Sequence, residues 1–379
     1  MFSIPLIILL FIGEWALWTT RESWPVTKVA GLQHDSAYEV LYSRSLMSQQ
    51  FGIYKLAGIR KNEPEIVIVG SSRVMQFRDF MFAPLDRSFY NAGGMVESVD
   101  DLSDYADLVV AGDVPKPKVV LIGIDVWWFT ERPDQKRVAR LVEWDDAYRF
   151  AAHTDALKAI VSGKRFGDVC TAIRERRYST LGRNFVGVAP AVNGSGFRND
   201  GSWRCPQQMF DEFVRDPRYA DRERPPVIER IRTKSAQFAP PTNFSDRHAA
   251  SFVAATERLL RSNIEVIAFF PPFSSECQHA ISQYAELQTL VNGCHDQLAT
   301  MLEMVGVSVV RLDSLKLPDE YMIDGFHLGE VYAAHVVRKI CEDVSQGSRL
   351  LQIDRTELEG RIESAEIPLA FAVDAVFQP

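Results

Sequence analysis

The sequence lacks closely spaced cysteine pairs, tandem repeats and low-complexity tracts, and it has no excess of basic residues. Without Cys-x2–4-Cys spacing a structural zinc site is not indicated, and without a repeat a solenoid is excluded. Five cysteines are scattered at Cys170, Cys205, Cys277, Cys294 and Cys341, an odd count that leaves at least one thiol unpaired within a monomer. If the chain is exported, Cys277 and Cys294 are the pair to expect, because they are close in sequence and flank one helical stretch. Lysine and arginine number 42 against 50 aspartates and glutamates, a net charge of -8, which argues against nucleic acid as a partner. Runs such as Arg174-Glu175-Arg176-Arg177 and Asp221-Arg222-Glu223-Arg224 mix both signs and read as solvated surface. The histidines His34, His153, His248, His279, His295 and His335 share no metal spacing, so neither a metal nor another cofactor is expected.

What is present is a chain of 379 residues, 46% hydrophobic and 11% aromatic, enough for one elaborated domain or two smaller ones. Residues 2–19 read FSIPLIILLFIGEWALWT, with Glu14 as the one charge and Trp15 and Trp18 near the far end. About 20 apolar residues cross a bilayer and tryptophans favour its interfaces, so residues 1–20 are expected to be a retained membrane anchor. A cleaved signal peptide and an ordinary buried helix are the competing readings. The first fits less well, because no basic residue precedes the apolar stretch and no small-x-small site follows it.

Residues 21–63 read as a connecting segment, with helical periodicity over Tyr38 to Leu56. The folded domain is expected over residues 64–345. Glu65-Ile66-Val67-Ile68-Val69 and Lys118 to Ile124 are short, nearly all-apolar runs rich in β-branched residues, as in parallel strands covered on both faces. A shorter strand is expected at Phe89-Tyr90-Asn91, and two more at Ile264 to Phe270 and Val307 to Leu312. Helices are expected over about Ser98 to Ala111, Arg247 to Ser262, Tyr284 to Val305 and Gly329 to Val344. This alternation predicts an α/β fold, a doubly wound, mostly parallel sheet between helical layers, whose ligand sites gather at the carboxyl ends of the strands. Residues 130–243 break the rhythm and read as a central insertion or cap, with proline punctuation at Pro225-Pro226 and Pro240-Pro241 and a turn at Asp200-Gly201-Ser202. Residues 346–379 form a tail expected to pack back on the domain.

Two short segments carry chemistry. Gly70-Ser71-Ser72 ends the first strand, where a serine presents its hydroxyl at the mouth of the sheet beside free backbone N–H groups. Asp324-Gly325-Phe326-His327 precedes the last helix, so an aspartate and a histidine come from one loop. Ser72 as nucleophile, His327 as base and Asp324 as its orienting acid form the expected catalytic set, because a serine hydroxyl needs a base held in the right tautomer. A phosphate site at the Gly70 turn is the weaker alternative, since the Walker lysine is absent.

With these placements the chain resembles the SGNH (GDSL-like) hydrolase superfamily over roughly residues 64–129 and 264–344. That family's pattern is a first-strand Gly-Asp-Ser, a glycine block, a Gly-x-Asn block and a C-terminal Asp-x-x-His. Ser71 stands where the pattern has aspartate, Asn91-Ala92-Gly93-Gly94 falls at the glycine block, and Gly123-Ile124-Asp125 falls at Gly-x-Asn. The resemblance implies a flavodoxin-like three-layer fold and places Asn91, Gly94 and Asp125 at the oxyanion; Arg73, directly after Ser72, and Trp127 and Trp128, at the ligand end of the Gly123 strand, complete the expected oxyanion or substrate-binding set. Arg73 would hold an anionic substrate group or pair with Asp125, and the tryptophans would stack on sugar rings or pack in the core. An ionised Asp125 is an acceptor that repels an oxyanion.

The words GSSR, GIDVWWF, DGFH and GFRNDGSW, with the apolar N-terminus, are similar to the membrane-anchored subgroup that serves alginate O-acetylation and D-alanyl transfer to teichoic acids. This implies an extracytoplasmic serine esterase or O-acyltransferase, acetyl being the expected acyl group. It would act on an envelope polysaccharide, held at the membrane beside a membrane-bound O-acyltransferase partner. The other reading is a catalytically impaired glycan-binding or assembly protein of the same architecture.

Overall fold

The computed structural model describes residues 3–49, 51–131, 150–178, 185–216, 219–312 and 314–372. Parts of the expected insertion (132–149, 179–184 and 217–218) and of the tail (373–379) lie outside the described residues. The strands in chain order are β1 (Leu41–Tyr42), β2 (Ile66–Gly70), β3 (Phe89–Gly93), β4 (Val119–Gly123), β5 (Phe185–Val186), β6 (Gly196–Phe197), β7 (Trp203–Arg204), β8 (Glu265–Phe269) and β9 (Ser308–Val310).

Five of them form the main sheet, in the order β3-β2-β4-β8-β9 and parallel throughout. All five lie where the apolar runs predict. Alternation within each strand sends Val67, Val69, Val120 and Ile122 into one apolar cluster and Ile66, Ile68, Val119 and Leu121 into another. The helices Val99–Ala111 and Asp246–Arg261 cover the first face and Glu330–Asp343 the second, so both sides of the sheet are dry. Val99–Ala111 starts at Ser98, whose hydroxyl accepts from Asp101 N–H (3.2 Å), and stops at Gly112, which takes the left-handed conformation at φ 80°. The expected Tyr284 to Val305 helix is present as Ala285–Gly293 and Ala299–Met304, joined through one π turn. Counted by appearance within this sheet, the strand order is 2-1-3-4-5. Its winding reverses between β2 and β4, which is where such sheets open a crevice.

Four short strands form a second sheet, β5-β1-β6-β7. This corrects the helical reading of Tyr38 to Leu56. Leu41 and Tyr42 pair with Phe185 and Val186, and the helix begins only at Phe51, running to Asn62. Long-range pairing overrides the local periodicity, and Tyr42, Tyr54, Phe197 and Trp203 pack together around it. Pro225 and Pro226 lie inside the helix Tyr219–Arg232 rather than ending one, on an element that buries Val227 and Ile231.

The N-terminal helix runs Ser3–Thr19, 17 residues, and among the described residues no helix is long and apolar enough to cross a membrane. The expected spanning anchor is therefore not supported. Instead of standing apart, the end of this helix joins the body. Ala16 and Leu17 are buried against the helices Phe150–Val161 and Phe166–Tyr178. Glu14 bonds His153 at 2.9 Å, and the buried Glu22 just beyond accepts from the backbone N–H groups of Leu46 and Val188. Ile8, Phe11, Ile12, Trp15 and Trp18 remain exposed. The tail packs back, with Leu350, Ile353 and Leu358 buried beside the helix Glu330–Asp343.

The five cysteines are free thiols. The Cys277–Cys294 pair does not form, because each thiol is packed in its own environment. Cys294 donates to Val126 O (3.7 Å), while burial pushes the Cys277 thiol up to about 11.

Candidate active site

The site sits at the carboxyl end of β2. Gly70 ends that strand with φ 154°, and a Cβ there would stand 2.9 Å from Gly123 O on the neighbouring strand, so only glycine fits the close approach. Beyond it, Ser72–Val74 forms a short 3-10 turn in which the Ser71 hydroxyl accepts from Arg73 N–H (3.3 Å). Ser71 and Arg73 point inward and are buried, whereas Ser72 is exposed at the mouth.

The partner segment follows β9. Asp324 Oδ1 accepts from Phe326 N–H and His327 N–H, both at 2.8 Å, a turn that folds the loop upon its own carboxylate. Asp324 Oδ2 is 2.7 Å from His327 Nδ1, and His327 Nε2 is 2.8 Å from Ser72 Oγ. Burial would raise the Asp324 carboxyl, but the His327 hydrogen bond and charge and the two backbone donors hold it below the usual carboxylate value. Ionised Asp324 fixes the tautomer with a proton on Nδ1 and a lone pair on Nε2 facing the hydroxyl. Residues 255 apart in sequence thus form a Ser–His–Asp relay.

The other expected site residues lie elsewhere. Asn91 is fully buried in β3, where its amide donates to Val74 O and Phe77 O (both 2.8 Å) and its Oδ1 accepts from Gly93 N–H. It braces the nucleophile turn from below and does not reach the mouth. Gly94 N–H is spent on Gly70 O (2.8 Å) and Ser71 O (3.1 Å). Ser72 N–H has no acceptor among the described residues, which leaves it as this turn's donor for an oxyanion. Trp128 is buried against Phe252; Trp127 is half-buried, packed edge-on to Phe238 and Phe326.

Asp125, at the end of β4, faces away from solvent and pairs with Arg73, Nη1 to Oδ1 at 3.2 Å, both side chains 1% exposed. Burial pushes the Asp125 carboxyl up and the Arg73 guanidinium down, and the attraction between the two charges opposes both shifts. Of the two roles expected for Arg73, pairing with Asp125 is therefore the one the geometry builds. Replacing Asp125 by asparagine leaves Arg73 without a counter-charge. The expected cost is about 3 kcal/mol of stability with no gain in ester turnover, since the side chain is sealed from the mouth. Thermal melting and an ester assay on Asp125→Asn check both halves.

A charge cluster that sequence reasoning did not pick out lies beside the relay. Glu330, three residues past His327, receives Arg198 Nη2 at 2.6 Å and Arg78 Nη1 at 3.3 Å, and Arg78 also pairs with Asp200 at 3.3 Å. Arg198 and Asp200 belong to the β6-β7 hairpin. That hairpin is held from its other side by the buried Lys55, which donates to Asn91 O (2.9 Å) and to Gly201 O. Asp200-Gly201-Ser202 is a turn, as expected, closed by Ser202 N–H to Asp200 Oδ1 at 2.8 Å. Beyond the Pro271-Pro272 bend opens a cleft of about 710 Å³, lined in part by Phe273, Gln278, His279, Asn292, His295 and Lys316, with no carboxylate among its described lining residues.

The chain matches no family model, and no curated protein matches it. Among the described residues no group of histidine, cysteine and carboxylate side chains is placed to hold a metal ion.

Proposed function

We propose that the protein is a serine esterase or O-acyltransferase of the SGNH-like kind, acting on an envelope polysaccharide. The observation that carries this reading is the continuous hydrogen-bonded relay from Ser72 through His327 to Asp324 at the open end of a doubly wound sheet. In the proposed reaction His327 Nε2 takes the Ser72 proton as Oγ attacks the ester carbonyl. The same proton then passes to the departing alcohol oxygen, leaving acyl-Ser72. A second hydroxyl, from water or from a sugar, accepts the acyl group by the reverse sequence. Ser72 N–H faces the developing oxyanion.

The exposed apolar face of the N-terminal helix, ending in Trp15 and Trp18, supports a place at a membrane surface; an extracytoplasmic α/β domain is part of the same proposal. A membrane-bound O-acyltransferase delivering the acyl group is the partner this reading calls for.

A fluorophosphonate probe is expected to label the full chain at Ser72 and to leave Ser72→Ala untouched, with mass spectrometry mapping the adduct. One observation favours a second reading. With Gly94 N–H engaged and Asp125 locked to Arg73, the oxyanion site has a single evident backbone donor, which suits a glycan-binding protein that has lost turnover. Binding of an acetylated glycan that survives Ser72→Ala, with no adduct and no acyl release from the unaltered chain, would establish that reading instead.

A further inference from the structure

Arg73 follows Ser72 directly in the chain, yet its side chain turns under the sheet mouth and is 1% exposed. Its Nε donates to Phe326 O at 3.0 Å, the carbonyl immediately before His327. Nη1 meets Asp125 at the end of β4, and Nη2 donates to Pro272 O (2.8 Å) and to Pro271 O just past β8. The guanidinium lies 4.4 Å from the ring centroid of Phe273 and 5.5 Å from that of Trp127. One rigid planar group thus joins the nucleophile turn, two further strand ends and the loop that carries the base.

We propose that Arg73 is the positioning residue that sets the Ser72–His327 distance, with Asp125 as the counter-ion that keeps its charge in the interior. The Asp324 turn, the Ile323 N–H to His327 O bond (2.9 Å) and the Ser274 N–H to Gly325 O bond (2.9 Å) shape the histidine loop and tie it to the β8 end. None of them reaches the serine turn. Apart from the Ser72–His327 contact itself, Arg73 to Phe326 O is the direct hydrogen bond between the two halves among the described residues, with Arg78–Glu330 a more distant tie. The hydroxyl and imidazole must sit within about 2.6–3.2 Å for proton transfer, and small misplacement of reacting groups costs orders of magnitude in rate. A lysine at this position keeps the positive charge but offers no planar fork to hold Phe326 O, Asp125 and the Pro271-Pro272 carbonyls together.

This inference rests on the serine-nucleophile reading, and the experiment separates the two. The rate of Ser72 labelling by a fluorophosphonate is followed against pH in the full chain, in Arg73→Lys and in the double variant Arg73→Met/Asp125→Leu, with thermal melting of each. A buried ion pair replaced whole by apolar side chains is often tolerated without loss of stability, so the double variant is expected to melt near the unaltered protein. Both variants are nevertheless expected to label at least 10-fold more slowly. Their rates should climb steadily with hydroxide concentration, as for a serine without a positioned base, instead of following the profile of the unaltered protein. A folded variant of either kind labelling at the full rate with the unaltered pH profile overturns the positioning role and leaves the serine nucleophile standing. No labelling of the unaltered chain at any pH overturns both.

Discussion

Replacing Ser72 by alanine is expected to lower acyl release by about 10⁴–10⁶-fold, and adding His327→Ala to that variant is expected to cost almost nothing more. The two side chains act as one unit. Without the hydroxyl the imidazole has no proton to accept, and without the imidazole the hydroxyl stays protonated at neutral pH. Each single change therefore removes most of what the pair supplies. Asp324→Asn is expected to fall by about 10⁴-fold, because an amide facing His327 Nδ1 no longer demands a proton there and so permits the tautomer with Nε2–H turned toward Ser72. Its carboxylate, held below the usual acid range, stays charged at pH values where free aspartate begins to protonate. Ester turnover by Ser72→Ala, His327→Ala, their double variant and Asp324→Asn, measured under identical conditions, checks the pattern. Losses that multiply between Ser72→Ala and His327→Ala would mean the two residues do not share a proton.

The parts of this architecture legible in the sequence are those that local chemistry dictates. Strands β2, β4 and β8 announce themselves because a strand buried on both faces needs apolar residues at every position, and Ile66 to Val69 and Val119 to Ile122 supply them. The Ser72 turn and the Asp324 loop are readable for a similar reason, since a glycine-ended strand and an aspartate three residues before a histidine each carry their geometry locally. Backbone direction is another matter. Gly94 has the right residue type for an oxyanion donor, yet its N–H closes the serine turn, and only the fold decides which way a peptide plane faces. Asp125 falls where the resembled pattern has an asparagine, but its meaning depends on Arg73, 52 residues away. The apolar N-terminus illustrates the same boundary. Composition alone favours a membrane span, whereas the burial of Ala16 and Leu17 depends on helices around residues 150–178 that no local pattern connects to it.

Removing Glu330 should be the most destabilising single change outside the apolar core, about 3–5 kcal/mol for Glu330→Ala at pH 7, because it strands the buried guanidinium of Arg198 and weakens the pairing of Arg78. Asp200 and Glu39 still offer partial partners, at 3.3 Å to Arg78 and 3.2 Å to Arg198, which places the loss toward the lower end of that range. The effect has a defined pH dependence. Burial acts to raise the Glu330 carboxyl, but Arg198 and Arg78 outweigh it and hold the group below its usual value. An acid depressed in the folded state binds fewer protons there than in the unfolded chain. Its contribution is complete above the unfolded value of about 4.3 and disappears as pH falls through the folded one. The gap between Glu330→Ala and the unaltered protein, read from urea unfolding, should therefore be widest near neutrality and close toward pH 3. A gap below about 1 kcal/mol at pH 7, or one that widens in acid, would refute the clamp. The consequence reaches the site because Arg198 and Asp200 belong to the β6-β7 hairpin, whose backbone bonds Asn91 N–H through Asp200 O (2.8 Å) and Met75 O through Trp203 N–H (2.8 Å). Asn91 in turn holds Val74 O in the serine turn. Loss of a carboxylate three residues after the base thus loosens the floor beneath the nucleophile, and turnover is expected to fall together with stability.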